Sequence, residues 1–235
     1  MFGQEGSRLR LEWGPEGVAA LGEQCAVLVV VDVLSFSTAV DVVVGRGGAV
    51  RPVRWVDRAS AAPPADPSWT LRPSSLVSVP PGTVLDLPSA NGATLCDLAA
   101  STGAVVLAGC LRNARAVAGA ARVLADGGPI GVVPGGERWG VDLAEAADAG
   151  PLRPAVEDWL GAGAVVASLL GYGSASVEAA MAAEAFAWAS VEDALAGCVS
   201  GRELIAAGHA GDVALASQVN VSTAVPRLVD GVLRA

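Results

Sequence analysis

The run Ala26–Asp32 (AVLVVVD) constrains this chain more than any other segment. Six apolar residues, four of them Val, end on a single acid. That is the pattern of a strand covered on both faces, as strands inside parallel sheets are. Parallel neighbours need crossovers, and helical stretches separate this run from others like it. The expected strands are Ala26–Asp32, Ala49–Trp55, Thr83–Leu87, Ala104–Ala108 and Ile130–Val133, the last clear one. Helices are expected from Ser37 to about Val44, from Asn91-Gly92 to Ala100, and over Asn113–Ala125. After a loop at Pro134–Pro154 the chain is mostly helical: Ala155–Leu170, Val177–Trp188, Val191–Cys198, Arg202–Ala207 and Asp212–Gln218. This alternation predicts an α/β protein with three layers, α/β/α. Its sheet is mostly parallel or mixed, its crossovers are right-handed, and its C-terminal region is helical. No repeat or linker interrupts the 235 residues, so one domain is expected over 1–235. Pro63, Pro64, Pro67, Pro73, Pro80 and Pro81 break any periodicity over residues 57–82, which are expected to form a flap or excursion.

Charge narrows the partners. The formal net charge is −9, every one of the 15 basic residues is Arg, and no basic run or aromatic-plus-Arg stripe occurs. A polyanion is repelled by such a chain, so nucleic acid is excluded as a partner, although local Arg residues can still hold a small anion. Ala26–Val31 is too short to cross a bilayer, and Gly171, Gly173 and Ser174 cut off Gly161–Leu170 well short of the ~20 residues a span needs. Met1–Trp13 carries Glu5, Arg8, Arg10 and Glu12 and has no apolar segment of the secretory kind, so a cytoplasmic, membrane-free protein is expected. Cys25, Cys96, Cys110 and Cys198 form no CxxC pair and are expected to pack as small hydrophobes. His209, the single histidine, makes no metal site by itself.

The polar residues fall where strands end. Asp32, Ser35, Ser37 and Thr38 follow the first strand; Ser89, Asn91, Gly92 and Thr94 follow the third; Arg112 and Asn113 follow the fourth; Glu137 and Arg138 follow the fifth. In a parallel sheet these ends share one edge, where open α/β sheets bind ligands and helix N-termini present N–H groups to anions. Two acids (Asp32, Glu137) beside two guanidinium groups (Arg112, Arg138) suggest a divalent cation and an anionic substrate held together. Mg²⁺ suits one or two carboxylates completed by water and phosphate oxygens. Each residue also has a bland reading. Ser37 and Asn91 serve equally as helix caps, and Glu137-Arg138 and Glu157-Asp158 as surface charges. Asp32 resists the bland reading, because a buried carboxylate without partners is costly. A dehalogenase-type phosphatase needs a second Asp where Leu34 stands, and no Walker A motif, GxSxG elbow or HExxH occurs.

Six segments together resemble the 2-phosphosulfolactate phosphatase family: VVVDVLSFSTAV (Val29–Val40), LPSANGATL (Leu87–Leu95), AGCLRNARAVA (Ala108–Ala118), VVPGGERW (Val132–Trp139), LRPAVEDWLGAGAVV (Leu152–Val166) and the tail from Gly201 to Pro226. The resemblance implies a three-layer α/β/α fold and Mg²⁺-dependent removal of phosphate from 2-phosphosulfolactate, a step towards coenzyme M. Asp32, Asn91, Asn113, Glu137, Arg138, Glu157 and Asp158 match its polar motif positions. It implies catalytic roles for Asp32, Glu137 and Arg138, with Mg²⁺ on Asp32, Glu137 and Asp158. The phosphoester would lie among Ser35, Ser37, Asn91, Gly92, Arg112 and Asn113, with Arg138 and the helix start at Asn91–Gly92 holding phosphoryl oxygens. A homodimer, through the Trp-bearing helices of the tail, is a further expectation. This sequence departs from the family in two places. Ser35 stands where an Arg usually follows Asp-Val-Leu, and Trp69–Gly82 replaces a Gly-Glu-Arg-Gly-Gly-type segment. A family member without catalysis, acting as a small-anion binder or interaction scaffold, is therefore the alternative reading.

Overall fold

The computed structural model describes residues 2–139 and 150–235; part of the expected loop Pro134–Pro154 lies outside them. Helices and strands alternate as β1 (Leu9–Leu11), α1 (Gly14–Leu21), β2 (Val27–Val31), α2 (Phe36–Gly45), β3 (Ala49–Arg54), β4 (Val84–Ser89), α3 (Gly92–Ala100), β5 (Val105–Gly109), α4 (Ala114–Leu124) and β6 (Ile130–Pro134). A two-stranded ribbon follows, β7 (Glu137–Arg138) with β8 (Leu152–Arg153). Five helices come next: α5 (Val156–Leu169), α6 (Val177–Trp188), α7 (Val191–Gly197), α8 (Val199–Ala206) and α9 (Ala210–Ala216). The chain closes on β9 (Arg227–Val229) and β10 (Val232–Arg234). Among the described residues no helix is long and apolar enough to cross a membrane.

Eight strands form one sheet in the order β1-β6-β2-β5-β9-β10-β3-β4. The pairs β1–β6, β6–β2, β2–β5 and β3–β4 are parallel; β5–β9, β9–β10 and β10–β3 are antiparallel. The sheet is thus mostly parallel, and helices cover both faces. Successive residues of β2 point to opposite faces. Val27, Val29 and Val31 enter a core with α4, α5 and α6, whereas Leu28 and Val30 enter a second core with α1, α2 and α3. The uninterrupted valines are explained by this two-sided burial.

The strand expected to be last, Ile130–Val133, is followed by the hairpin β9–β10, which sits inside the sheet between β5 and β3. Each of its strands has only three residues, too few to show a period of two. The turn did carry a signal. Asp230 and Gly231 both adopt positive φ, 52° and 76°, the two-residue turn that Asp-Gly favours. Two short 3₁₀ turns, Trp55–Ser60 leading into residues 57–82 and Pro73–Leu76 within them, shape this segment. Leu76 and Val79 are buried in the second core, and the Ser74 N–H donates to Asp212 Oδ1 at 2.7 Å, tying this segment to α9.

Candidate active site

Four acids gather where β2, β4 and β6 end and α5 begins. Asp32 follows β2, Glu137 follows β6, and Glu157 and Asp158 occupy the first turn of α5, where carboxylates complement the helix dipole. Asp32, Glu157 and Asp158 are each 5% exposed or less, while Glu137 is half-buried at the rim.

Asp32 bridges two helix starts. Its Oδ1 accepts the Phe36 N–H of α2 at 3.3 Å, and its Oδ2 accepts the Gly92 N–H of α3 at 2.7 Å and the Ser89 hydroxyl at 3.4 Å. Burial pushes its protonation up to about 6, against the pull of these N–H groups, and the charge of Glu157 adds to the rise. In Asp158, Oδ1 accepts the Val33 N–H at 2.7 Å and Oδ2 the Gly136 N–H at 2.8 Å. One carboxylate therefore fixes both the loop after β2 and the loop after β6. Burial first, then Asp32 and Glu157, hold its protonation well above the usual carboxylate range. Glu137 rises to about 7, through burial and then the charges of Asp32 and Glu157, opposed by Asn91 and Arg153. The Asn91 Nδ2 donor lies 3.5 Å from Glu137 Oε2. Glu157 lies against the Cys198 thiol, whose protonation rises to about 11 through burial and then this carboxylate.

The ribbon β7–β8 aims Glu137. Glu137 pairs with Arg153 and Arg138 with Leu152 across it, so Glu137 and Arg153 share one face and Arg138 the other. On its face Arg138 reaches the Gly150 carbonyl at 3.4 Å, and Leu152 packs 3.0 Å from where a Cβ on Gly136 would stand. Trp13 and Trp159 stack behind that turn, with ring centroids 5.9 Å apart.

Several expected ligands are turned elsewhere. Ser37 is fully buried: its Oγ accepts the Asp32 N–H at 3.0 Å and donates to the Val30 carbonyl, locking the loop between β2 and α2. Asn113 is also fully buried. Its Oδ1 accepts the Cys110 N–H at 2.8 Å and its Nδ2 donates to Ala224, which ties the end of β5 to the chain leading into β9. Arg112 donates from Nε to Asp41 Oδ2 at 2.8 Å and also bonds Gln218, so its guanidinium is held on α2 and does not join the carboxylates. Arg138 faces away from Glu137, as described. The Gly92 N–H, expected to meet a phosphoryl oxygen, meets Asp32. Ser35 is half-buried at the start of α2, and Asn91 and Gly92 line the acids. Arg153 lies in the segment LRPAVEDWLGAGAVV that carries part of the resemblance, yet the sequence assigned it no role. Glu157 stood out only through the resemblance carried by LRPAVEDWLGAGAVV.

Gly92 has no room for a side chain. A Cβ there would lie 2.4 Å from Phe36 Cδ1 and 2.8 Å from Asp32 Oδ2. Gly92→Ala is expected to destabilise the protein by about 1–3 kcal/mol through overpacking, although Ala favours helix by about 1 kcal/mol. Thermal denaturation measures this, and an unchanged melting temperature would show that Phe36 yields without cost.

Among the described residues no group of three or more His, Cys, Asp or Glu side chains is arranged to hold a metal unaided. The donor chemistry nonetheless fits Mg²⁺, which takes one or two carboxylates and completes its shell with water and phosphate. Asp32 and Glu137 are the pair that fits, for Glu137 feels the charge of Asp32 and is only half-buried.

A family model described as 2-phosphosulpholactate phosphatase matches residues 81–231, close to two thirds of the chain. No curated protein matches. The matched span includes Ser89, Asn91, Gly92, Glu137, Arg153, Glu157 and Asp158 of the site just described, while Asp32 lies before it. The chain belongs to the 2-phosphosulpholactate phosphatase family, and a phosphatase-type function is what that membership indicates.

Proposed function

We propose that the protein is a Mg²⁺-dependent phosphatase of a small anionic phosphomonoester, with 2-phosphosulfolactate the family's own substrate. The observation that carries this reading is the convergence of four carboxylates on one sheet edge, three buried and one half-buried, with Asp32 and Glu157 raising the protonation of their neighbours. Such a cluster calls for a counter-cation, and phosphoryl transfer asks a protein mainly for positioning and charge neutralisation. Asp32 and Glu137 would hold Mg²⁺, which when bound neutralises phosphoryl charge and makes water a better nucleophile. Asp32 is kept in place by the starts of α2 and α3, and Asn91 orients Glu137. Asp158 braces the two loops that carry these acids, and in this reading it positions the ligands instead of joining them.

Two observations favour a second reading, a small-anion binder without turnover. Ser35 stands where the family resemblance leads one to expect Arg, and Asp32 occupies the N–H group expected for phosphate. Phosphate release from a panel of small phosphomonoesters that includes 2-phosphosulfolactate, in Mg²⁺ and in EDTA, separates the two. Mg²⁺-dependent release supports the phosphatase; ester binding with no release supports the binder.

The cluster also makes a prediction independent of turnover. Glu137 has its folded-state protonation raised from 4.5 to about 7, so the folded protein holds a proton there that the unfolded chain has lost. This contribution to stability is present below pH 4.5 and disappears as pH rises through about 7. Without Mg²⁺ the melting temperature should therefore fall over that interval. Mg²⁺ should raise it more above pH 7 than below pH 5, because binding displaces protons. A Mg²⁺ effect that is absent, or equal at both ends, would remove the metal from this cluster.

A further inference from the structure

We propose that Arg153 sets substrate choice by gripping a second acidic group of the phosphomonoester at the rim of the site. This rests on the phosphatase reading above; the family's substrate carries such acids beside its phosphate, and what is added is the residue that meets them. An anionic ester entering a basin of four carboxylates is repelled except where a cation meets it, and a cation held by Asp32 and Glu137 would meet the phosphoryl group. Any further acid on the substrate needs a guanidinium of its own. The candidates narrow quickly. Ser35 carries no charge, Arg112 is bound to Asp41, and Arg138 lies on the far face of the ribbon.

Arg153 alone of these arginines faces the right way. It stands directly opposite Glu137 in β7–β8, on the same face, and its charge acts on that carboxylate. Its Cζ lies 5.7 Å from the centre of the Trp139 ring, which is 60% exposed. Stacking of this kind restrains a guanidinium while its in-plane donors stay directed outward, the arrangement that suits bidentate capture of a carboxylate or sulfonate. Among the described residues Arg153 makes no direct ion pair. Being half-buried beside an exposed ring, it meets the part of the substrate that projects from the reacting phosphorus.

Two matched esters test this: 2-phosphoglycolate, which has a carboxylate beside its phosphate, and ethyl phosphate, which does not. Affinities are measured by calorimetry and kcat/KM by phosphate release, both with Mg²⁺. The wild type should prefer 2-phosphoglycolate in both. In Arg153→Gln that preference should shrink by about thirtyfold, the usual effect of losing one charged hydrogen-bonding contact. Arg153→Lys, which keeps the charge and the fold but loses the planar fork, should fall between. No preference in the wild type overturns the proposal, as does an equal fall for both esters or no fall in Arg153→Gln. If neither ester releases phosphate while the binding preference still follows Arg153, turnover is refuted and this inference stands.

Discussion

Replacing Asp32 with Asn is expected to lower Mg²⁺-dependent phosphate release by about a hundredfold or more, the scale on which losing one preorganised electrostatic contact acts. The fold should survive the change. Asn keeps an acceptor for the Gly92 N–H at 2.7 Å and turns its amide towards the Phe36 N–H, the longer bond at 3.3 Å. It also removes one charge from a cluster where burial and neighbouring acids raise the protonation of Asp32, Glu137 and Asp158. The melting temperature should hold or rise, and the stabilisation by Mg²⁺ should largely disappear. Activity, denaturation and the Mg²⁺ response are read on the same preparation. A folded Asp32→Asn protein that keeps full activity would take Asp32 out of the chemistry.

Arg112→Ala tests the opposite assignment, a residue that stands beside the site in sequence yet works for stability. Its Nε donates to Asp41 Oδ2, and Asp41 has no exposed side-chain surface. Removing the guanidinium leaves a buried carboxylate without its cation, which costs about 3–5 kcal/mol. For a chain of this length that is a fall of roughly 6–15 °C in melting temperature. Burial already pushes the protonation of Asp41 up, against the opposing pull of Ser222 and Arg112. The loss should therefore be smaller in acid, where Asp41 takes a proton and no charge is buried. Adding Asp41→Ala should return part of the stability, because the orphaned charge goes with it. Below the melting range, kcat should stay near the wild-type value. A large fall in kcat with an unchanged melting temperature would instead make Arg112 a substrate ligand, as its place after β5 suggests.

The strands β2, β5 and β6 were legible for one physical reason. Burial on both faces demands unbroken apolar runs, and AVLVVVD or AVVLA can be little else. Asp32 was legible as an acid at a position that a strand of this kind does not need for folding, and Glu157 and Asp158 only through the family resemblance. The short strands were not, since three residues carry no period. Nor was the ribbon, in which β7 and β8 have two residues each and their partners lie about fifteen residues apart.

Ser89 makes the limit concrete. In the sheet order β4 is five strand positions from β2, about 24 Å in a flat sheet, yet the Ser89 hydroxyl lies 3.4 Å from Asp32. The sheet must curl around the second core to bring these ends together, with the hairpin β9–β10 filling the gap between β5 and β3. By itself, then, the sequence determined the α/β class, the long strands and helices, the family, and the principal acids. Only the tertiary structure decided which neighbours those acids meet. It gave Arg112 to Asp41, turned Ser37 and Asn113 inward onto backbone, and set Arg153 opposite Glu137. The reason is that apolar periodicity reports how much of a strand is covered, whereas side-chain partnership depends on sheet curvature and ribbon register, which residues distant in the chain impose together.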